Sequence, residues 1–86
     1  MRKASKAYMS RVACLPCCVC GAQGVELHHV REGQGMAQRA QDWLVVPLCS
    51  GCHRGPQGLH GDRTMMRIHK MDEMDMLART IEAMNG

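Results

Sequence analysis

Phenylalanine is absent from this chain, and tryptophan and tyrosine occur once each, as Trp43 and Tyr8. A core built on stacked aromatic rings is therefore excluded. Nine methionines take part of that place, and methionine packs adaptably but specifies shape weakly. Long apolar runs are missing too, so no segment reads as a membrane span. The basic stretch Met1-Arg2-Lys3-Ala4-Ser5-Lys6 leads into no apolar region before Cys14, which argues against a secretory leader. No strong charge imbalance is present: the formal net charge of +3 permits a nucleic-acid partner without demanding one. Length is also short, and 86 residues allow one domain whose small core would gain from a metal or disulfide staple.

Cysteine and histidine are what this chain has instead. Cys17-x2-Cys20 and Cys49-x2-Cys52 form two pairs separated by 28 residues, enough for a hairpin that returns the second pair to the first. Two such turns supply the four thiolates of a tetrahedral zinc site, with an iron–sulfur centre as the rarer reading. Six cysteines in a chain without a leader point to metal rather than to a disulfide framework. The register has an alternative, because Cys14-x2-Cys17 has the same spacing. Cys20-Gly21 favours Cys17 with Cys20, since a glycine lets the knuckle close, and leaves Cys14 and Cys18 as packing residues.

The coarse layout follows from periodicity and breakers. Ala4, Ala7, Tyr8 and Val12 predict a basic helix over 3–13, stopped by Pro16. The alternation in Val25-Glu26-Leu27-His28-His29-Val30 predicts a strand. Gly33, Gly35 and the polar run to Gln41 read as a loop. Trp43 to Leu48 reads as a second strand, at an edge or terminating, because it holds Pro47. The second knuckle should lead into a helical turn broken by Gly55-Pro56-Gln57-Gly58. Asp62 is a candidate cap for a helix over 63–70 with Met65, Met66 and Ile68 as its apolar surface. Asp72 is a candidate cap for a helix over 73–85, where Met74, Leu77, Ala78, Ile81 and Met84 form an apolar stripe for core packing or a dimer seam.

His28 and His29 are adjacent, His53 directly follows the last knuckle cysteine, and His60 lies seven residues on. A purely structural zinc site has no use for them, so they suggest a second, working metal site. In a regular strand His28 and His29 face opposite ways, so one cleft can use both only if the strand ends or bulges there. The set suits phosphodiester hydrolysis. One neutral imidazole takes a proton from water, while others hold a divalent cation at the phosphate.

The order Cys-x2-Cys, His-His, Pro-Leu-Cys-x2-Cys-His resembles the HNH endonucleases of the ββα-metal fold. Val25-Glu26-Leu27-His28-His29-Val30-Arg31 followed by Gly33-Gln34-Gly35-Met36 looks similar to phage and prophage RecA-dependent nucleases related to the recombination-enhancement protein Ref. The resemblance covers residues 8–60. It implies an α+β fold: a small zinc-stabilised ββα-metal domain with a core over 14–60 and flanking N- and C-terminal helices. It implies His29 as general base, His28 and His53 as ligands of a catalytic divalent ion such as Mg2+, Mn2+ or Zn2+, and His60 as a further ligand or phosphate contact. Cys17, Cys20, Cys49 and Cys52 would hold structural zinc. The middle Asn of the pattern is replaced by Leu44, and Asp42 is the nearest polar residue to orient the base. The implied partner is DNA, with RecA-coated DNA as a narrower form that a chain without an extended N-terminal region does not inherit safely. The implied setting is the cytoplasm of a bacterial host, with a phage or prophage origin, no membrane contact, and a monomer or homodimer.

Arg31, Arg39, Arg54, Arg63 and Arg67 lie near these elements and read equally as a phosphate-binding face or a solvated surface. Lys3, Lys6 and Arg11 carry the same two readings. A non-catalytic zinc module binding DNA or protein is the alternative from another class. A thiol redox protein is disfavoured, because its motif opens a helix in a larger α/β domain.

Overall fold

A computed structural model describes residues 3–30 and 41–85. Helix α1 spans Lys3–Val12, strand β1 Val25–His29, strand β2 Val45–Cys49, helix α2 Ser50–Arg54, helix α3 Thr64–His69 and helix α4 Glu73–Asn85. The architecture is α+β. The two strands form an antiparallel sheet in which Val25 faces Cys49, Leu27 faces Pro47, His28 faces Val46 and His29 faces Val45. The glycine-bearing loop expected after β1, with Gly33 and Gly35, falls outside the described residues, as do Arg31, Arg39 and Gly86.

The sheet is covered on both sides, which explains why β2 is apolar at every position from Val45 to Leu48. On one side Val46 and Leu48 join Cys17, Val19, Val30, Leu59, Met65, Met71, Met76 and Leu77. On the other, Val45 packs with Met9 and Val12 of α1, flanked by Tyr8, Leu27 and Met84. Met9, Met65, Met71 and Met76 are all buried, so methionine does fill the place of missing aromatics. Tyr8 and Trp43 meet each other, with ring centroids 5.1 Å apart.

Pro47 is buried rather than sitting on a bare edge. It has no N–H to offer, but its carbonyl accepts the Cys18 N–H at 3.0 Å. That bond ties the first knuckle to β2, two residues from Cys49.

Several helical faces differ from the sequence expectation. In α1 the buried residues are Ser5, Met9 and Val12, while Ala4 and Ala7 are exposed. In α3 Met65 is buried but Ile68 is 61% exposed. In α4 the buried face is Glu73, Met76, Leu77 and Thr80, and the predicted stripe is rotated, with Met74 and Ile81 exposed at 51% and 46%. Apolar character misled the assignment because Glu73 and Thr80 are held inside by polar partners: the Thr80 hydroxyl donates to the Met76 carbonyl at 2.9 Å.

Both predicted aspartates bond N–H groups at a helix start, Asp72 as the cap of α4 and Asp62 from one residue before the cap position of α3, which Arg63 occupies. Asp72 accepts the Asp75 N–H at 2.8 Å and Asp75 returns the bond to the Asp72 N–H at 3.0 Å, a reciprocal capping box. Asp62 accepts the Thr64 N–H at 2.9 Å, with Arg63 in left-handed conformation between them at φ 66°.

Chemical denaturation will check the register of α4. Met76→Ala should cost about 2–5 kcal/mol and Asp72→Ala about 1 kcal/mol. Ile81→Ala should stay within about 0.5 kcal/mol of the parent.

Candidate metal centres

Local backbone chemistry shapes the first knuckle. The Gly21 N–H donates to the Cys17 carbonyl and the Cys17 N–H to the Ala22 carbonyl, both at 2.9 Å. Gly21 has φ of 79°, a conformation glycine reaches without penalty. The second knuckle bridges the last residue of β2 and the start of α2, so that Cys49 and Cys52 turn inward from consecutive elements. The result is a cluster of Cys17, Cys20, Cys49 and Cys52 whose sulfurs all lie within 4.8 Å of one another.

The distances separate metal from disulfide. Sulfurs bound tetrahedrally at the usual zinc–sulfur length stand about 3.8 Å apart, against about 2.0 Å in a disulfide. Here Cys20 Sγ is 3.6 Å from Cys49 Sγ and 3.9 Å from Cys52 Sγ. Electrostatics agrees. Burial raises the Cys17 thiol, but the N–H groups of Cys20, Cys49 and Val19 outweigh it and bring it down to about 7. Burial and then the neighbouring thiols push Cys52 well up. Four thiolates cannot share this space unaided, and a divalent cation removes the conflict. The cluster can hold a metal such as zinc.

This arrangement settles the register in favour of Cys17 with Cys20. Cys18 is half-buried against the core, with its thiol pushed up to about 11 by burial and then by Cys17. Cys14 is not a packing residue. It is exposed, with its thiol 3.5 Å from the Ser10 carbonyl, because it falls on the solvent side of the turn after α1.

A second group lies one residue along. Ring nitrogens of His28, His53 and His60 all lie within 4.8 Å of one another. His28 comes from β1 and His53 from α2, while His60 is delivered by the loop after α2. That loop folds back so that the Leu59 N–H donates to the Cys52 carbonyl at 2.9 Å and the His60 N–H to the His53 carbonyl at 3.0 Å. Close approach of backbones makes this feasible. A Cβ on Gly58 would lie 2.7 Å from the Cys52 carbonyl oxygen, and one on Gly61 2.3 Å from that of Pro56.

The donor set fits a first-row divalent ion. Two imidazole nitrogens bound at the usual length stand about 2.9–3.4 Å apart, and His53 Nε2 is 3.1 Å from His60 Nε2. His53 Nδ1 is 2.8 Å from Glu26 Oε1. An ionised carboxylate only accepts, so His53 carries its proton on Nδ1 and has its lone pair on Nε2. His28 Nε2 is buried with no hydrogen-bond partner, although Glu73 Oε2 is 3.5 Å away. Burial is the main influence on His28 and holds its pKa below the ordinary histidine value, against the opposing pull of Glu73. His28 is thereby kept neutral and able to ligate.

His29 stands beside this group. Strand β1 ends at His29, and a shallow cleft of about 230 Å³ is lined by Leu27, His28, His29, His53 and His60. His28 and His29 leave opposite faces of β1, yet the end of the strand exposes both to this cleft. His29 Nε2 is 3.1 Å from Asp42 Oδ1, so Nε2 is the nitrogen that donates to the carboxylate and, in the neutral ring, Nδ1 carries the lone pair. Leu44, in the place of the expected Asn, is partly buried against the core and its carbonyl accepts the Val30 N–H at 2.8 Å.

Two of the predicted arginines, Arg54 and Arg63, are paired with carboxylates. Arg54 donates to both oxygens of Glu26, from Nε at 2.9 Å, and this pairing holds the Glu26 carboxyl below its ordinary range, with His53 adding to the effect. Arg63 Nη2 is 3.2 Å from Glu73 Oε1. Their side chains remain 65% and 51% exposed. Lys3, Lys6, Arg11 and Arg67 are exposed. Sequence reasoning missed Glu26 and Glu73. Glu26 lies two residues before His28, hence on the same strand face, and that was the one available signal. Nothing in the sequence pointed to Glu73.

The family described as "Protein of unknown function (DUF968)" matches residues 1–84. The chain belongs to this family. No curated protein and no solved structure matches it. No helix among the described residues is long and apolar enough to cross a membrane.

Elemental analysis should find one tightly held zinc that Cys49→Ser loses together with cooperative unfolding, since binding energy at such a site is folding energy. Gly61→Ala should spare that zinc but weaken metal binding at the histidines, read by calorimetric titration, because its Cβ would meet the Pro56 and Gly55 carbonyls and displace the backbone next to His60.

Proposed function

We propose that this protein is a metal-dependent DNA endonuclease of the HNH type that hydrolyses phosphodiester bonds. The observation that carries the reading is the division of labour in one cleft: three histidines grouped for a cation, and a fourth, His29, held outside that group by Asp42. A zinc module that only binds would need the cysteines but not this arrangement. The order β1, β2, α2, with His28-His29 on the first strand and His53 on the helix after the second knuckle, gives further support. So does the cysteine cluster, as the structural zinc site beneath.

When bound, a divalent cation such as Mg2+, Mn2+ or Zn2+ supplies positive charge that steadies the extra negative charge on the phosphate and the leaving oxygen. His28, His53 and His60 would hold it. His29 takes a proton from the attacking water at Nδ1. Asp42, accepting at Nε2, fixes the tautomer and offsets the charge of the imidazolium that forms. Asp42 thus fills the orienting role left open by Leu44. Arg54 and Arg63, anchored at one side by carboxylates, turn exposed guanidinium edges to the backbone phosphates of DNA.

The test is plasmid nicking and single-strand cleavage across divalent metals. Wild-type protein should cleave only with a metal added. His29→Ala should lose about 100- to 10,000-fold in rate with zinc content and circular dichroism unchanged. Equal cleavage by His29→Ala would remove the assignment of the base. No cleavage in any metal, with DNA still bound in a mobility-shift assay, would favour the zinc-dependent binding module.

A further inference from the structure

Two carboxylates flank the histidine cluster, Glu26 in hydrogen-bond contact with its histidine and Glu73 just beyond that distance. Glu26 stands between His53 Nδ1, at 2.8 Å, and Arg54, whose Nε is at 2.9 Å. Glu73 stands between His28 Nε2, at 3.5 Å, and Arg63, whose Nη2 is at 3.2 Å. The two come from unrelated parts of the chain, Glu26 from β1 and Glu73 from the first turn of α4. Glu73 is only 7% exposed. A buried carboxylate at the start of a helix, turned toward a buried imidazole instead of solvent, is a placement that packing alone does not favour.

We propose that Glu26 and Glu73 are the positioning carboxylates of the histidine site, each fixing the tautomer and ring direction of one metal-binding histidine while an arginine holds the carboxylate in place. This rests on the metal-binding part of the function proposed above and not on cleavage. An imidazole that donates one N–H to a carboxylate presents its other nitrogen to the ion and becomes a better ligand. For His53 the arrangement is complete: Nδ1 is engaged and Nε2 lies 3.1 Å from His60 Nε2. For His28, closing the gap to Glu73 by about 0.5 Å gives an ordinary hydrogen bond and satisfies a nitrogen that is otherwise buried without a partner.

The arginines complete each relay. Arg54 engages both oxygens of Glu26, so that carboxylate cannot rotate away from His53. Arg63 holds one oxygen of Glu73 and leaves Oε2 on the side of His28. Through Glu73, helix α4 becomes part of the site, although none of its residues belongs to the three-histidine group. The buried rim of α4 is thereby explained by chemistry where its apolar pattern failed.

Calorimetric titration of the zinc-loaded protein with Co2+, without DNA, tests the proposal. Glu26→Ala and Glu73→Ala should each raise the dissociation constant of the histidine site by about 10- to 100-fold, and Glu26→Gln and Glu73→Gln should recover part of the loss. Arg54→Ala and Arg63→Ala, on exposed side chains, should weaken binding less and serve where a glutamate variant does not fold. Nitrogen-15 NMR of the ring provides a second readout. His53 should be the Nδ1–H tautomer in the parent and a mixture in Glu26→Ala. Unchanged Co2+ affinity in both alanine variants, or an unchanged His53 tautomer, overturns the proposal. Absence of Co2+ binding by the parent overturns it together with the metal site. Weakened binding in the variants of a parent that cleaves no DNA upholds it and removes only the nuclease reading.

Discussion

Four sulfurs drawn to one point are the constraint on which the rest of this protein depends. Each knuckle turns two thiols inward, and the Cys18 N–H on the Pro47 carbonyl fastens the first knuckle to the strand that ends in the second. Four thiols so placed can hold a divalent cation, and one bound there would tie residue 17 to residue 52 across a chain with no phenylalanine. The hydrophobic layers on both sides of the sheet are thin and rich in methionine. They define a shape mainly because the cysteine cluster fixes where the strands and α2 begin and end.

The second knuckle contributes a residue to each of the two candidate metal centres. Cys52 turns toward the sulfurs and His53, the next residue, toward the imidazoles, as neighbouring side chains on a helix diverge by about 100°. Any force that orders the cysteines therefore also orders His53. The loop after α2 extends the coupling, because the bonds from Leu59 to Cys52 and from His60 to His53 copy the direction of α2 into the next segment. Gly58 and Gly61 matter here for their lack of a side chain.

Legibility followed the kind of signal involved. The cysteine pairs, the helix-start aspartates Asp62 and Asp72, and the two strands were readable because spacing and local hydrogen bonding encode them. The grouping of His28, His53 and His60 was anticipated as a set of candidates, and Asp42 as a partner for His29. The burial of helical faces was less readable. Met74 and Ile81 are apolar yet exposed, while Glu73 and Thr80 are polar yet buried. In a layer this thin a helix rotates to satisfy a polar contact at little cost in apolar burial.

By itself, the sequence determined which atoms could bind metal and how many centres they could supply, since spacing and ligand chemistry are local properties. The tertiary structure closed the one alternative that spacing left open, placing Cys20 and not Cys14 beside Cys17 in the cluster. It also decided that β1 ends where both His28 and His29 can line one cleft, and that carboxylates from β1 and α4 stand beside the histidines. Those outcomes depend on long-range pairing of β1 with β2 and on the docking of α4, which no local pattern records.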